Sequence, residues 1–171
     1  NILIKGKPKS GKSTLLERII SDYKDKIGFI TKEIKEDDER KGFEIKTNKG
    51  EKIILAHVNF QTKYKVSKYF VKPENLDLII PKISEFTEED ILYIDEIGEM
   101  ELFSKKFKFL IGKFLNSKNI FIATLTSVYT NGFIEKLQRR KDILILQLNE
   151  TNRENVQKKI QDILKDIKRK S

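Results

Sequence analysis

Short apolar runs alternate along the chain with longer segments in which apolar residues recur every three or four positions. The runs have the length of buried strands, and the longer segments have the spacing of amphipathic helices, most clearly at 15–23 and 102–114. The alternation predicts one α/β domain over residues 1–171, with a mainly parallel sheet and helices on both faces. Strands are expected at 2–4, 27–34, 91–95, 120–125 and 143–148.

An antiparallel addition to this sheet is predicted between residues 43 and 58. The segments FEIKT and KIILAHV are joined by Asn48-Lys49-Gly50, and asparagine and glycine tolerate the positive φ of a tight hairpin turn. Residues 59–73 are polar and mixed and predict no clear element apart from the short run 69–71. A helix is expected from Glu74, with a break at Pro81, because proline removes a backbone donor.

The segment GKPKSGKST lies between the first strand and the first amphipathic helix. It has the pattern glycine, four residues, glycine, lysine, then serine or threonine, whose backbone amides surround the phosphates of a nucleotide. The glycines let the backbone curl inward, and the N-terminus of the helix adds partial positive charge. The predicted phosphate-binding residues are Gly6, Lys7, Pro8, Lys9, Ser10, Gly11, Lys12, Ser13 and Thr14.

Three side chains of this loop have distinct expected roles. Lys12 neutralises the β and γ phosphates, Ser13 places its hydroxyl on Mg²⁺, and Thr14 lies near the α phosphate. The alternative, a glycine turn that only caps a helix, does not account for strand, loop and helix in this order. The loop therefore predicts a triphosphate held with magnesium, and leaves open whether the phosphate is hydrolysed, transferred or only sensed.

Two acids, Asp95 and Glu96, end the apolar strand ILYID. Asp95 is expected beside the phosphate loop, where an acid holds the Mg²⁺ shell. Glu96 can polarise a water in line with the γ phosphate, which a protein that only binds nucleotides does not need. The predicted catalytic residues are therefore Glu96 and Lys12, and the predicted metal ligands are Ser13 and Asp95. The alternative is a pair of acids that closes an exposed strand end.

Two further patterns resemble those of GTPases. Residues 95–98 have the spacing aspartate, two residues, glycine, and Asn48-Lys49 is similar to a guanine-reading motif. The second pattern lacks the aspartate that pairs with guanine, and it precedes the metal strand instead of following it. A signalling GTPase is therefore the weaker interpretation, since phosphate binding alone does not select a base.

The composition excludes several classes of site. The chain has no cysteine and one histidine, His57, so disulfides and a zinc cluster are excluded. We expect a cytoplasmic protein, because no long apolar segment predicts a membrane span and no secretory leader is visible. The net charge of +9, from 35 basic and 26 acidic residues, permits a nucleic-acid partner, but a solvated surface of ion pairs in a heat-adapted protein is the favoured interpretation.

An arginine that stabilises charge in the transition state has to come from six positions: Arg18, Arg40, Arg139, Arg140, Arg153 and Arg169. Arg139 and Arg140 follow a short predicted helix and are expected on the loop side of the sheet. Ordinary surface arginines are the alternative. Thr124 and Thr126 end the strand beside the metal strand and are candidates to bind the γ phosphate or the attacking water.

Six segments spread over nearly the whole chain carry a family resemblance: GKPKSGKST, GFITKEI at 28–34, RKGF at 40–43, KVSKYFVKPENL at 65–76, DEIGEMELFS at 95–104 and RRKDILILQLNETNREN at 139–155. Together they resemble the small P-loop nucleoside triphosphatases of thermophiles and animals, the relatives of the human cancer-related nucleoside triphosphatase. Two positions depart from that family. Ser67 stands where the family tends to have glycine, and TLTSVYTNG at 124–132 lacks an expected proline.

The resemblance implies a RecA-like P-loop enzyme that hydrolyses ATP, GTP, CTP and UTP slowly, with little base preference, to the diphosphate and phosphate. Carried over by position, the nucleotide contacts fall on residues 6–14, Asp95, Glu96 and Gly98. A phosphotransferase, such as a nucleotide or polynucleotide kinase, is the first alternative, in which Glu96 activates an acceptor hydroxyl. A nucleotide-dependent nucleic-acid binder is the second. We expect a monomer.

Overall fold

The computed structural model describes the backbone of residues 1–168 and the side chains through residue 167. The strands are β1 (Ile2–Gly6), β2 (Lys26–Glu36), β3 (Glu39–Thr47), β4 (Lys52–His57), β5 (Tyr64–Val66), β6 (Tyr69–Val71), β7 (Ile91–Ile97), β8 (Phe121–Thr126) and β9 (Leu144–Gln147). The helices are α1 (Lys12–Ser21), α2 (Pro73–Ile79), α3 (Lys105–Asn116), α4 (Gly132–Gln138) and α5 (Arg153–Lys168), with 3-10 turns at Ile80–Ile83 and Glu101–Phe103.

The strands form one sheet in the order β5-β6-β4-β3-β2-β7-β8-β1-β9. The half from β2 to β9 is parallel, as the alternation of strands and helices predicts. Parallel strands place their carboxyl ends at one edge, so the residues that follow β1, β7 and β8 meet there. This edge is where the phosphate loop and the two acids of β7 lie.

The other half of the sheet is antiparallel and larger than predicted. The β3–β4 hairpin is confirmed, and its turn includes Gly50 at φ 89°. Beyond it, β5 and β6 form a second hairpin that pairs with β4, which the polar content of 59–73 did not predict. Ser67, in the turn between β5 and β6, has φ 54°. Glycine suits such a left-handed position, which agrees with the glycine that the family resemblance led us to expect there.

Helices cover both faces of the sheet, as predicted. On one face, α1 and α5 bury an apolar cluster that includes Leu16 and Ile160. On the other, α2, α3 and α4 cover a larger cluster that includes Phe107 and Phe114. The break predicted at Pro81 is a change of helix type: α2 ends at Ile79, and the chain continues as the 3-10 turn Ile80–Ile83. Within residues 1–168, no helix has both the length and the apolar character required to cross a membrane.

Candidate active site

The phosphate loop fills the gap between the end of β1 and the start of α1. Gly11, at its last position, has φ 88°, and a side chain there would collide with the guanidinium of Arg153. At the other end, a Cβ on Gly6 would lie 2.7 Å from Ser10 Oγ and 2.9 Å from the carbonyl oxygen of Leu148. Both glycines are therefore required by close approach, and the loop curls tightly against α5 and the end of β9.

Lys12, the first residue of α1, turns its ammonium group into the site. The residue is only 6% exposed, and its Nζ donates to the carbonyl oxygen of Lys7 at 3.0 Å and lies 3.3 Å from Glu96 Oε2. A lysine has three N–H donors, so this position offers positive charge to the space between the loop and Glu96. Ser13 follows at the rim, and Thr14 is exposed in the first turn of the helix.

Asp95 is buried at the end of β7, with 1% of its surface exposed. Its Oδ1 accepts hydrogen bonds from Ser13 Oγ at 2.9 Å and from Thr124 Oγ1 at 2.6 Å. Its Oδ2 has no hydrogen-bond partner among the described residues. Burial raises the pKa of Asp95, against the hydrogen bonds from Thr124 and Ser13 and the charge of Lys12. A buried carboxylate with one uncommitted oxygen is costly unless a cation lies nearby.

Two more carboxylates adjoin Asp95. Burial raises the pKa of Glu96, while Lys12 lowers it and Asp95 raises it further. Glu101, in the 3-10 turn after β7, is 5% exposed, and burial, followed by the charges of Glu96 and Asp95, raises its pKa to about 8. The sequence analysis did not single out Glu101. The available signal was an acid among the apolar residues of the segment MELF.

A cavity of about 300 Å³ opens beside these acids. One end contains Ser13, Asp95, Glu96 and Thr126, at the edge where the phosphate loop lies. The cavity extends from there past the loop that follows β7, toward the antiparallel half of the sheet. Its remaining lining residues are Thr31, Glu33, Phe43, Val66, Gly98, Glu99, Met100, Glu101, Val128 and Tyr129.

The expected position of two arginines is wrong. Arg140 pairs with Asp142 at 2.7 Å, and Asp142 accepts a hydrogen bond from Asn1, which precedes β1. Arg140 and its neighbour Arg139 therefore lie at the amino end of the parallel strands, opposite the phosphate loop, because α4 runs back across the sheet. Arg153 instead reaches the loop, with Nη2 3.4 Å from the carbonyl oxygen of Ser10. Arg169 is outside the described residues.

The structure also separates Asn48 from the site. Its Oδ1 accepts a hydrogen bond from the backbone N–H of Gly28 at 3.2 Å, near the amino end of β2. The phosphate loop lies at the carboxyl ends of the parallel strands, so Asn48 cannot read a base bound there. The remaining predicted residues, 6–14 with Asp95, Glu96 and Gly98, meet at one edge of the sheet.

Comparisons with known proteins identify the family and the fold of the chain. A family model described as NTPase matches residues 1–161. The nucleoside-triphosphatase THEP1 of Thermotoga sp. (strain RQ2) is 39% identical over 166 residues, which cover 96% of this chain and 95% of the relative. THEP1 of Natranaerobius thermophilus is 37% identical, over 94% of this chain and 93% of the relative.

Two solved structures share the architecture. The crystal structure of THEP1 from the hyperthermophile Aquifex aeolicus has a TM-score of 0.83 at 30% identity and covers 93% of this chain and 95% of its own. The solution structure of a human cancer-related nucleoside triphosphatase has a TM-score of 0.82 at 24% identity, with 97% of both chains covered. They confirm the expected α/β, P-loop fold class. The match over residues 1–161 and the identity to THEP1 over nearly the whole length show that this chain belongs to the NTPase family.

Proposed function

We propose that this protein hydrolyses nucleoside triphosphates to the diphosphate and phosphate in a Mg²⁺-dependent reaction. One observation carries the proposal: the carboxylate of Glu96 lies 3.3 Å from Lys12 Nζ at the mouth of the phosphate loop. A phosphate held by Lys12 is then next to an acid that can accept a proton from water. The names of the relatives, which are nucleoside triphosphatases, support the same activity.

The residues divide the reaction between them. The amides of the loop and Lys12 hold the β and γ phosphates, and Glu96 orients a water in the adjoining cavity. As the water oxygen bonds to the γ phosphorus, its proton passes to Glu96. The bond to the bridging oxygen breaks, and its electron pair stays with the diphosphate. Lys12 compensates the charge that develops on the transferred group.

Ser13 and Asp95 are the residues that fit a magnesium ion. The unpartnered Oδ2 of Asp95 and the hydroxyl of Ser13 supply oxygen ligands. No group of three or more acidic, histidine or cysteine side chains in the described part of the chain forms a metal cage. That suits Mg²⁺, which takes one or two carboxylates and fills its shell with water and substrate phosphates. When bound, the ion neutralises charge on the β and γ phosphates.

Slow turnover and broad base specificity are part of the proposal. Arg153 contacts the loop at the carbonyl of Ser10 and is not among the residues that line the cavity with Glu96. An arginine beside the transferred phosphate contributes roughly 10³–10⁵ to the rate of related enzymes. None of the arginines within residues 1–168 lines this cavity, so we expect slow turnover. A second cavity beside the loop, lined partly by Gln147, Asn149 and Thr151, suits the base. These side chains are exposed, which favours weak discrimination between bases.

The change Glu96→Gln tests the assignment of the base. We expect Mg²⁺-nucleotide binding to persist and the rate of phosphate release to fall about 10²–10⁴-fold, the usual contribution of a positioned base. The control is Glu88→Gln, because Glu88 is an exposed acid paired with Lys118 at 3.7 Å. Steady-state phosphate release with ATP, GTP, CTP and UTP, together with equilibrium nucleotide binding, gives the answer. Turnover at the parent rate in Glu96→Gln would remove Glu96 from this role.

A further inference from the structure

The cavity beside Glu96 has a charge opposite to that of the protein. Five of its lining residues are acids, Glu33, Asp95, Glu96, Glu99 and Glu101, and none of the described residues that line it is a lysine or an arginine. The chain as a whole carries a net charge of +9. An acidic cavity on a basic protein attracts cations and repels phosphates, because low-dielectric walls concentrate its field.

The acids are only partly neutralised from outside the cavity. Glu33 pairs with Arg40 at 2.6 Å, and Glu96 pairs with Lys12 at 3.3 Å. For Glu99, by contrast, no ion pair is found within residues 1–168. Asp95 also lines the cavity, and its buried Oδ2 has no partner in the described part of the chain. Glu101, whose pKa burial raises to about 8, is largely protonated at pH 7, and Asp95 is the carboxylate assigned above to the magnesium ion. Glu99 is therefore the carboxylate of this cavity that no described residue matches.

The far end of the cavity does not suit the nucleotide. Of the phosphate-loop residues within the described chain, only Ser13 reaches the lining. The wall opposite the loop is built from Glu33 of β2, Phe43 of β3 and Val66 of β5. A triphosphate needs amides, cations or a metal along its length, and this wall presents apolar groups and a carboxylate whose partner is Arg40.

The walls indicate an organic cation. Tyr129 presents a ring, and Met100, Val66 and Val128 present apolar surface. The ring of Phe43 is already covered by the guanidinium of Arg40, 5.2 Å from its centroid. Aromatic faces attract ammonium groups and exclude water from them. A bare metal ion finds no cage of three or more ligating side chains among the described residues. The volume of about 300 Å³ lies at the small end of the roughly 300–1,000 Å³ of small-molecule sites.

We propose that this cavity binds a second substrate, a small amino alcohol, whose hydroxyl group accepts the γ-phosphoryl group. The cavity combines the unpaired carboxylate of Glu99, the ring of Tyr129 and direct continuity with Glu96 and Ser13. The inference rests on the proposed function, because the phosphoryl donor is the nucleoside triphosphate held by the loop. It adds an acceptor where hydrolysis uses water.

The transfer conserves atoms and charge with the same residues. The hydroxyl oxygen of the amino alcohol bonds to the γ phosphorus, and its proton passes to Glu96. The bond between the γ phosphorus and the bridging oxygen breaks, and the electron pair leaves with the nucleoside diphosphate. The ammonium group stays beside the carboxylate of Glu99 and the ring of Tyr129, which holds the hydroxyl in line. Water takes the place of the hydroxyl when no amino alcohol is bound, which gives slow hydrolysis.

Binding is the first measurement. Calorimetric titrations of the full chain, with Mg²⁺ and a non-hydrolysable ATP analogue, use choline, ethanolamine and 3-amino-1-propanol as probes. The matched control ligand is 3,3-dimethylbutan-1-ol, the neutral isostere of choline. We expect at least one amino alcohol to bind roughly tenfold or more tightly than the neutral alcohol. Binding of all three amino alcohols no tighter than that of the neutral alcohol, or no binding of any of the three, overturns the proposal.

Two variants test the residues named. Glu99→Gln removes the unpaired charge, and Tyr129→Leu removes a ring, so each is expected to weaken amine binding several-fold and leave nucleotide affinity unchanged. Glu88→Gln is the matched control at a distant exposed acid. Amine binding at parent affinity in both variants overturns the placement in this cavity. Should one variant fail to fold, the other still decides.

Product analysis separates this inference from hydrolysis. Phosphorus NMR of the same reactions with ATP is expected to show a phosphate ester of the bound amino alcohol alongside inorganic phosphate. Inorganic phosphate without ester, while the amine binds, overturns the acceptor role and leaves the proposed hydrolysis standing. If neither product forms with Mg²⁺-ATP, the proposed function itself has failed.

Discussion

Glu101 carries a carboxyl group in a place where ionisation is unfavourable. Burial, followed by the charges of Glu96 and Asp95, raises its pKa from 4.5 to about 8. Between these values the folded chain retains a proton that the unfolded chain has lost. Stability is therefore greatest below pH 4.5 with respect to this group, and it falls as the pH rises toward 8.

We expect Glu101→Gln to reduce this loss of stability at high pH, because glutamine cannot ionise. At pH 9 the variant should have a higher melting temperature than the parent protein, and at pH 5 the two should be close. Some slope remains, since burial also raises the pKa of Asp95 and Glu96. Thermal unfolding without nucleotide between pH 5 and 9 measures how the melting temperature of each protein changes with pH. Glu88→Gln is the control. If the melting temperatures of the parent and of Glu101→Gln change in parallel between pH 5 and 9, the raised pKa assigned to Glu101 is contradicted.

At the residue scale, the sequence predicted the positions of residues that lie at strand ends, and it did not predict positions that depend on contacts between distant parts of the chain. The phosphate loop and the acids of β7 were predicted together because each lies where a strand ends, and parallel strands end at one edge. Arg139 and Arg140 were misplaced because only the direction of α4 decides which edge they reach. Glu101 was missed because the sequence does not show that the turn after β7 folds its carboxyl group inward.

At the scale of elements, α3 shows how one helix serves both the core and the surface. Phe107 is fully buried and contacts Phe29 with ring centroids 6.1 Å apart. Phe109, two positions later, is 80% exposed. Residues two positions apart on a helix differ by about 200° around its axis, so one phenylalanine faces the sheet and the other faces solvent.

This difference gives a matched pair of substitutions. We expect Phe107→Ala to lower the free energy of unfolding by about 3–5 kcal/mol, because it removes buried contacts and leaves a cavity. Phe109→Ala should change it by no more than about 0.5 kcal/mol. Urea unfolding of both variants is the measurement. A large loss in Phe109→Ala would mean that another surface covers this residue in solution.

The elements that periodicity predicted are those with many apolar positions. The five parallel strands and the β3–β4 hairpin were predicted, whereas β5 and β6, three residues each, were not recognised as a second hairpin. Strands of three residues are too short for an alternating pattern to stand out, and the pairing of β6 with β4 depends on the rest of the sheet. This matters for the site, since Val66 of β5 lines the cavity.

At the scale of the whole molecule, the candidate active site lies where the parallel and antiparallel halves of the sheet meet. β2 pairs with β7 in parallel through its first residues and with β3 in antiparallel fashion along its length. Its 11 residues extend past the parallel edge, so Glu33 and the hairpin beyond it form a wall opposite the phosphate loop. The parallel half thus carries the proposed phosphate loop, and the antiparallel half supplies the far side of the cavity.

Because the loop, β7 and β8 come from distant parts of the chain, a nucleotide that joins them should stabilise the whole fold. At a free concentration of 100 times Kd, binding adds about 2.7 kcal/mol, and each kcal/mol raises the melting temperature of a chain of this size by about 2–4 °C. We therefore expect a rise of about 5–10 °C with Mg²⁺ and a non-hydrolysable nucleotide, similar for adenine, guanine, cytosine and uracil. Excess EDTA should remove most of it, since Asp95 and the phosphates then repel one another, and Lys12→Ala should abolish it at the same concentration. An undiminished rise in EDTA would show that nucleotide binding does not need the metal at Ser13 and Asp95.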